Sequence, residues 1–450
     1  MATNSSYIKT QSLVTDAFAF SWLKQPGLIE RIDWNSEAAR KIGAVNRTGE
    51  SVSILRPPRA TATISAYGSR NTILPGSVGG DITYQAINDA FLPLTVAYTM
   101  ELNLQTSIEE LTTRYTKQGL MKKIEQFAIQ ARNKMENSVA TTALAGIGQA
   151  TKLTTTSGAT YSQNVIETLG NAKAMMIERN AAVSNQRDLY CIMHPRVAPK
   201  LGAGAASNYH FGSSPERIQD RGVVPLNLAG FDLFESPLVS SQSIVAQWGT
   251  GAVTCSADVG FDGATAIAGS PTASGWAETM SVPLAGLPAN QVIPNGTVIY
   301  PNTQDAWINP DTGSAGAQAT YVVTATVTAS AGGAATVTVK DAAIFSGPYK
   351  NIYRSTVIPS GTAWYIYPAA VGASVQKPLI ALTGDAIVGV SPDIILPSTV
   401  KLIEKMDFGG IKLALIEDHY PGTVQGILKL IGFWGLAVQK GEGAVTIFDA

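Results

Sequence analysis

At 450 residues the chain is long enough for about three domains and a large core. Charged residues are 14% of it and the formal net charge is −1, where an ordinary soluble domain is about 25% charged. That balance excludes a dedicated nucleic-acid binder with a global basic surplus, and two cysteines exclude a disulfide scaffold. Ala, Gly, Ser and Thr stand where the charges are missing, which fits a protein that buries much of its surface against copies of itself.

In chain order, residues 1–40 read as an N-terminal arm whose Phe18, Phe20, Trp22 and Leu23 want burial. Met1 to Thr10 lacks the basic-then-apolar pattern of a signal peptide, so the expectation is a soluble protein made in the cytoplasm. Residues 41–93 alternate with period two from Ser51 to Arg56, stop at Pro57-Pro58, resume at Ala62, and pass through the Gly-rich stretch Leu74 to Gly80. Strand character returns from Leu94 to Leu104, so the region predicts a long β-ribbon that no local core could hold flat. Arg56, Arg59 and Arg70 on that ribbon are candidate contacts to acidic residues of neighbouring subunits. Ser107 and Glu110 have capping-box spacing for a short helix.

Residues 119–147 carry the strongest helical signal. Ile124, Phe127, Ala128, Ala131, Met135, Val139, Ala143 and Ile147 form one apolar stripe, with no Pro or Gly from Leu120 to Ala145. Such a rod is roughly 40 Å long. Arg132 and Glu136 are read as a polar-face pair one i,i+4 step apart. Its stripe is expected to pack on the sheet that contains Ile427 to Val438. A second helix follows, with Ile166, Leu169, Met176 and Ile177 on one side, then a buried strand, Leu189 to Met193, ending at His194-Pro195. From 245 to 376 the chain is dominated by Ala, Gly, Thr and Val. Within it Thr320–Thr328 and Thr336–Lys340 alternate around Gly332-Gly333, predicting a hairpin with a buried Val face and a wet Thr face. This region reads as an all-β module inserted in the main domain. The apolar stretch Ile427 to Val438 is too short to span a bilayer.

Recognisable enzyme chemistry is missing. The sequence has no Gly-Lys-Ser/Thr phosphate loop, nucleophile elbow, zincin helix or EF-hand loop. His194, His210 and His419 are scattered, and Glu417-Asp418-His419 would point to alternate faces of a strand. Cys191 and Cys255 sit in apolar strands and read as inert thiols. The chain is expected to be no enzyme and to use no cofactor or metal.

Three blocks carry a resemblance: Tyr190-Cys191-Ile192-Met193-His194-Pro195; Phe211 to Gly222 leading into Ala229-Gly230-Phe231-Asp232-Leu233-Phe234-Glu235-Ser236-Pro237-Leu238; and Gly426 to Phe448. In this order they resemble the major coat proteins of P22-like tailed bacteriophages, a branch of the HK97-like capsid fold family. The resemblance implies an α+β chain with an N-terminal arm (1–40), an E-loop β-ribbon (41–93), a peripheral domain (94–187) with spine helix 119–147, and an axial domain (188–244 and 377–425). It also implies an inserted all-β domain (245–376) and a C-terminal strand (426–450) returning to the peripheral domain.

The function implied is a major capsid protein, a viral structural protein that self-assembles as hexamers and pentamers of an icosahedral shell around double-stranded DNA. Implied partners are a scaffolding protein, a portal and DNA held by non-specific contact, with no membrane. The location implied is the virion, after synthesis in the host cytoplasm. Lys440-Gly441-Glu442-Gly443 departs from an Arg-Pro-Glu step frequent in the family, and nothing points to a Lys–Asn crosslink. The alternatives are an encapsulin-like compartment shell and, from another class, a β-rich surface-binding protein.

Overall fold

The computed structural model describes residues 27–35, 51–56, 90–107, 117–153, 161–179, 189–197, 227–237, 239, 242–244, 248, 253–262, 265–266, 276–303, 305–309, 313–347, 349–368, 374–396, 401–408, 410–419 and 425–448. The uninterrupted helical period becomes α1, Lys117–Gly146, a 30-residue helix. Its buried face is rich in alanine: Ala128, Ala131, Met135, Val139, Ala140, Ala143 and Leu144. Small side chains let the helix backbone lie close to a sheet, and that sheet contributes Met100, Met406, Leu413, Leu415, Leu430, Trp434 and Val438 to the same core. Trp434 Nε1 donates to Ser138 Oγ on α1 at 2.9 Å. Tyr98 stacks on Trp434 at 5.8 Å between centroids and shares a 3.0 Å hydrogen bond with Thr142. Phe127 is only half-buried, at the rim of this core.

The sheet is organised by one long strand, Gln425–Val438. Tyr98–Ser107 pairs antiparallel with it from Gln425↔Ser107 to Trp434↔Tyr98. Ile411–His419 pairs with it from Leu413↔Gly432 to His419↔Gly426, and Lys401–Phe408 pairs outside that strand. The last four residues of the long strand pair with Ile387–Val390, which takes Asp33–Trp34 as a parallel neighbour. α1 and this sheet form a plate.

Arg132 and Glu136 are not on a solvated face. They are 2% and 7% exposed, and Arg132 Nη2 donates to Glu30 Oε1 at 3.3 Å. The N-terminal turn Leu28–Arg31 crosses the helix there and buries Leu28 and Ile29 against it. The i,i+4 spacing carried no information about this third element. The other aromatic residues of the arm and the short helix expected after Thr106 lie outside the described residues.

A second sheet abuts the plate. Leu189–Met193, buried on both faces, lies between Leu379–Thr383 (antiparallel) and Phe231–Glu235 (parallel). Leu379–Thr383 also pairs with Ala444–Phe448, which in turn takes Ala150–Lys152 in parallel. The helix α2, Tyr161–Glu178, covers one face with Val165, Leu169, Ala172 and Met176. On the opposite face Tyr190, Ile192, Ile380 and Leu382 join the α1 core. Of the segment 426–450, expected as a C-terminal strand returning to the peripheral domain, the described residues form two strands in two sheets. The turn at Lys440–Gly443 divides them, where Gly441–Gly443 makes a short 3-10 turn.

From Val253 to Pro368 the described chain is β-structure built on six strands in the order Thr254–Cys255, Thr279–Ala285, Ala335–Lys340, Tyr321–Val323, Val298–Pro301, Trp364–Tyr367. The two ends of this order meet. Thr254 bridges to Ala363, Cys255 N donates to Thr362 O, and Trp364 N donates to Val253 O, both at 2.9 Å. The sheet is thus a barrel closed through Val253–Cys255. Trp307, Tyr321, Val337, Val339 and Trp364 fill or flank its core. The chain enters and leaves through a short ribbon in which Gln242–Ile244 pairs antiparallel with Ser374–Gln376.

The alternation around Gly332-Gly333 does make a hairpin, with Val322↔Lys340 and Val323↔Val339 in register. Its first arm is split: Val327–Thr328 pairs instead with Val292–Ile293. Tyr321, Val322 and Val323 are all buried, so the expected one-sided Val/Thr pattern holds only in the second arm, where Val337 and Val339 are buried and Thr336 is exposed. Thr320 at the start of the first arm bonds Gly148 and Ala150 of the body, so both faces are covered over residues 320–323, whereas Ala325, Thr326 and Thr328 are exposed.

Candidate functional site

Three features could carry function in a chain whose described residues hold no reactive constellation: a ribbon, a strap and a joint. The ribbon is Ser51–Arg56 paired antiparallel with Ala90–Thr95, from Ser51↔Thr95 to Arg56↔Ala90. Period-two alternation puts Val52, Ile54, Leu92 and Leu94 on one side. Ile54 and Leu94 pack on Val388 and Val390 of the plate, whereas Ser53, Pro93 and Thr95 are exposed. Pro93, which has no N–H to donate, is tolerated because the ribbon has open edges. Arg56 is the last described residue of its strand, opposite Ala90. Arg59 and Arg70 lie outside the described residues.

The strap is the N-terminal segment 27–35. Arg31 places its guanidinium 5.0 Å from the Tyr190 ring centroid and 4.8 Å from that of Phe234, both in the second sheet. Trp34 Nε1 donates to Ile29 O at 2.9 Å, and its indole lies against Gly389 and Gly410. Nine residues thus touch α1, the plate sheet and the second sheet.

The joint lies where the barrel meets the body. Arg179, just past α2 and 4% exposed, donates from Nη1 to Gln149 Oε1 at 3.1 Å. The same nitrogen is 3.6 Å from Asp341 Oδ2, an ion pair beyond hydrogen-bond distance. Its guanidinium stacks 3.9 Å from the Trp307 centroid in the barrel. Thr320 Oγ1 accepts from Ala150 N at 2.9 Å and donates to Gly148 O at 2.7 Å. Asp341 has φ 65°, left-handed for a residue with a Cβ. Burial, with Asp305 adding to it, holds the Tyr321 phenol well above its usual range, so it stays protonated. Nothing local in the sequence marks this joint: Arg179 simply follows the last turn of α2, Met175-Met176-Ile177-Glu178.

The other candidates are simple. Cys191 and Cys255 are buried, and burial alone pushes the Cys191 thiol up to about 12. His194 Nε2 is 3.0 Å from Lys377 Nζ, and its Nδ1 accepts from Arg196 N at 3.1 Å. Burial, then the charges of Lys377 and Arg196, lower its pKa. His419 pairs in its strand with Gly426, and His210 lies outside the described residues. Two concavities among the described residues hold about 20 Å³, beside the joint, and about 140 Å³, beside Asp393 and Lys412; pockets for organic ligands run to about 300–1,000 Å³. No helix among the described residues is long and apolar enough to cross a membrane.

No protein-family profile matches the chain, and no curated protein matches its sequence. Among solved structures it is similar to one from Mycobacterium phage Che8, at 10% identity and a TM-score of 0.44, covering 94% of this chain and 91% of that one. The capsid of the cyanophage P-SCSP1u is similar at 11% identity and 0.44, covering 95% and 89%. A virus-like particle from Pyrococcus furiosus is similar at 8% identity and 0.37, covering 98% and 97%.

Proposed function

We propose that this chain is the major capsid protein of a tailed bacteriophage of the P22-like, HK97-like branch, self-assembling into an icosahedral shell around double-stranded DNA. The observation that carries the reading is one arrangement: a 30-residue helix laid on a sheet built around Gln425–Val438, with a two-stranded ribbon leaving it and a closed barrel attached through paired strands. A stiff plate with an arm is a geometry for tiling. Low charge suits it, since many weak contacts among identical subunits add up without strong local charge. In this reading the barrel is the inserted domain, and the ribbon with Arg56, Arg59 and Arg70 overlaps a neighbouring subunit. A scaffolding protein, a portal and DNA are the partners, and the virion is the location.

Electron microscopy of the purified full-length chain tests the proposal. Closed shells, open sheets or tubes are expected. A monodisperse monomer at all protein concentrations, with or without crowding agent, would sink it.

A further inference from the structure

We propose that the barrel is a dockable unit: it leaves the plate by opening the joint around Arg179, without unfolding, and Asp341 is the residue that keys its docked position. The first support is strand pairing. Among the described residues no strand ladder joins the barrel sheet to a sheet of the body, so separating the two breaks no strand pairing. The second is the chemistry of the contact. Much of it is polar: the Arg179–Asp341 ion pair, the Arg179–Gln149 hydrogen bond, and the two hydrogen bonds of Thr320 to Gly148 and Ala150. Such groups recover hydrogen bonds in water when they part, so buried polar contacts give specificity of position more than net stability. The apolar part is small, chiefly Leu92, Ala150 and Phe448 against the barrel's core, with Tyr367 edge-on to Phe448.

The key is steric. The Asp341 carboxylate is lodged between two glycines of the body. A Cβ on Gly148 would lie 2.9 Å from Asp341 Oδ2, and a Cβ on Gly441 would overlap both carboxylate oxygens. The left-handed backbone of Asp341 turns its side chain out of the barrel at the end of Ala335–Lys340, into that slot. A residue that only ended a strand would take glycine there more readily. The test below needs no assembled shell, so the inference stands or falls apart from the proposal above.

Hydrogen exchange of the full-length protein, read by mass spectrometry, tests it. Gly441→Ala should speed exchange of the peptide 148–153, which holds the Ala150 amide bonded to Thr320, by about tenfold or more, and leave the peptide 335–340 inside the barrel unchanged. Asp341→Gly should loosen 148–153 similarly, and Gly441→Ala added to it should change nothing more, because the carboxylate it obstructs is gone. Thr320→Val, nearly isosteric, should also speed 148–153 alone. Wild-type exchange in Gly441→Ala, additive effects in the double variant, or loss of protection throughout 335–340 in Thr320→Val would each overturn the proposal.

Discussion

In the barrel, the shortest strand, Thr254–Cys255, is bonded on both sides. In the plate, Lys401–Phe408 is paired on one side only among the described residues. Leu402 on that strand is 42% exposed and Ile395, beside the outer face of the sheet, 67%. The barrel sheet therefore meets itself, whereas the outer side of Lys401–Phe408 has no strand partner among the described residues. The plate also relies on a remote segment: residues 27–35 reach across α1 to both sheets, so its rigidity depends on chain far from it in sequence. The difference separates a sheet that closes on itself from one that stays open at one side among the described residues.

The sharpest way to break the comparison is to empty each core in turn. Trp364→Ala, in the barrel and 1% exposed, should cost about 3–5 kcal/mol. Met135→Ala, on α1 and equally buried, should cost about 2–5 kcal/mol. In scanning calorimetry the first should lower only a barrel transition and the second only a plate transition. A single transition lowered by both would show that barrel and plate unfold as one cooperative unit.

Phe127→Ala sharpens the picture of the plate's rim. The residue is half-buried, so the expected loss is about 1–2 kcal/mol, below that of a fully buried aromatic. A loss as large as that of Met135→Ala, by chemical denaturation, would mean that further chain covers the rim.

The smallest expected effect lies at the turn between the two sheets, where Lys440 is paired with Asp385 and Thr383 donates to it at 2.7 Å. Burial pushes the Asp385 carboxyl up, but the hydrogen bonds from Lys440 and Thr383 outweigh it, and its pKa is lowered overall. A lowered carboxyl pKa stabilises the fold above the unfolded value, and the contribution is lost as pH falls below about 4. Asp385 is too exposed for this to exceed about 1 kcal/mol. Asp385→Asn should flatten the acid limb of the pH–stability curve, and a variant whose acid limb matches wild type would show the pair to be inert.

Legibility in the sequence followed how local each feature is. α1 was readable because its stripe repeats over seven turns without a breaker, and the first strand of the ribbon because alternation and Pro57-Pro58 mark it. The second arm of the hairpin kept its Val/Thr alternation, since one face meets the barrel core and the other water. The first arm did not, because Thr320 bonds Gly148 and Ala150 of the body while Tyr321 next to it fills the barrel core, and no local pattern encodes a second covered side. Arg132 and Glu136 were misread for the same reason: the strap that buries them starts about a hundred residues earlier.

By itself, then, the sequence determined element types where hydrophobic period is a short-range property: a long amphipathic rod, alternating strands, a charge-poor β-rich stretch between 245 and 376. Only the tertiary structure decided the closure of six strands into a barrel, the division of 426–450 between two sheets, and the joint that holds Arg179 against Asp341 across 162 positions. These depend on which backbone donors meet which acceptors, and on which Cβ is missing where two segments touch. Both are pairwise facts about residues far apart in the chain, and composition and periodicity average them away.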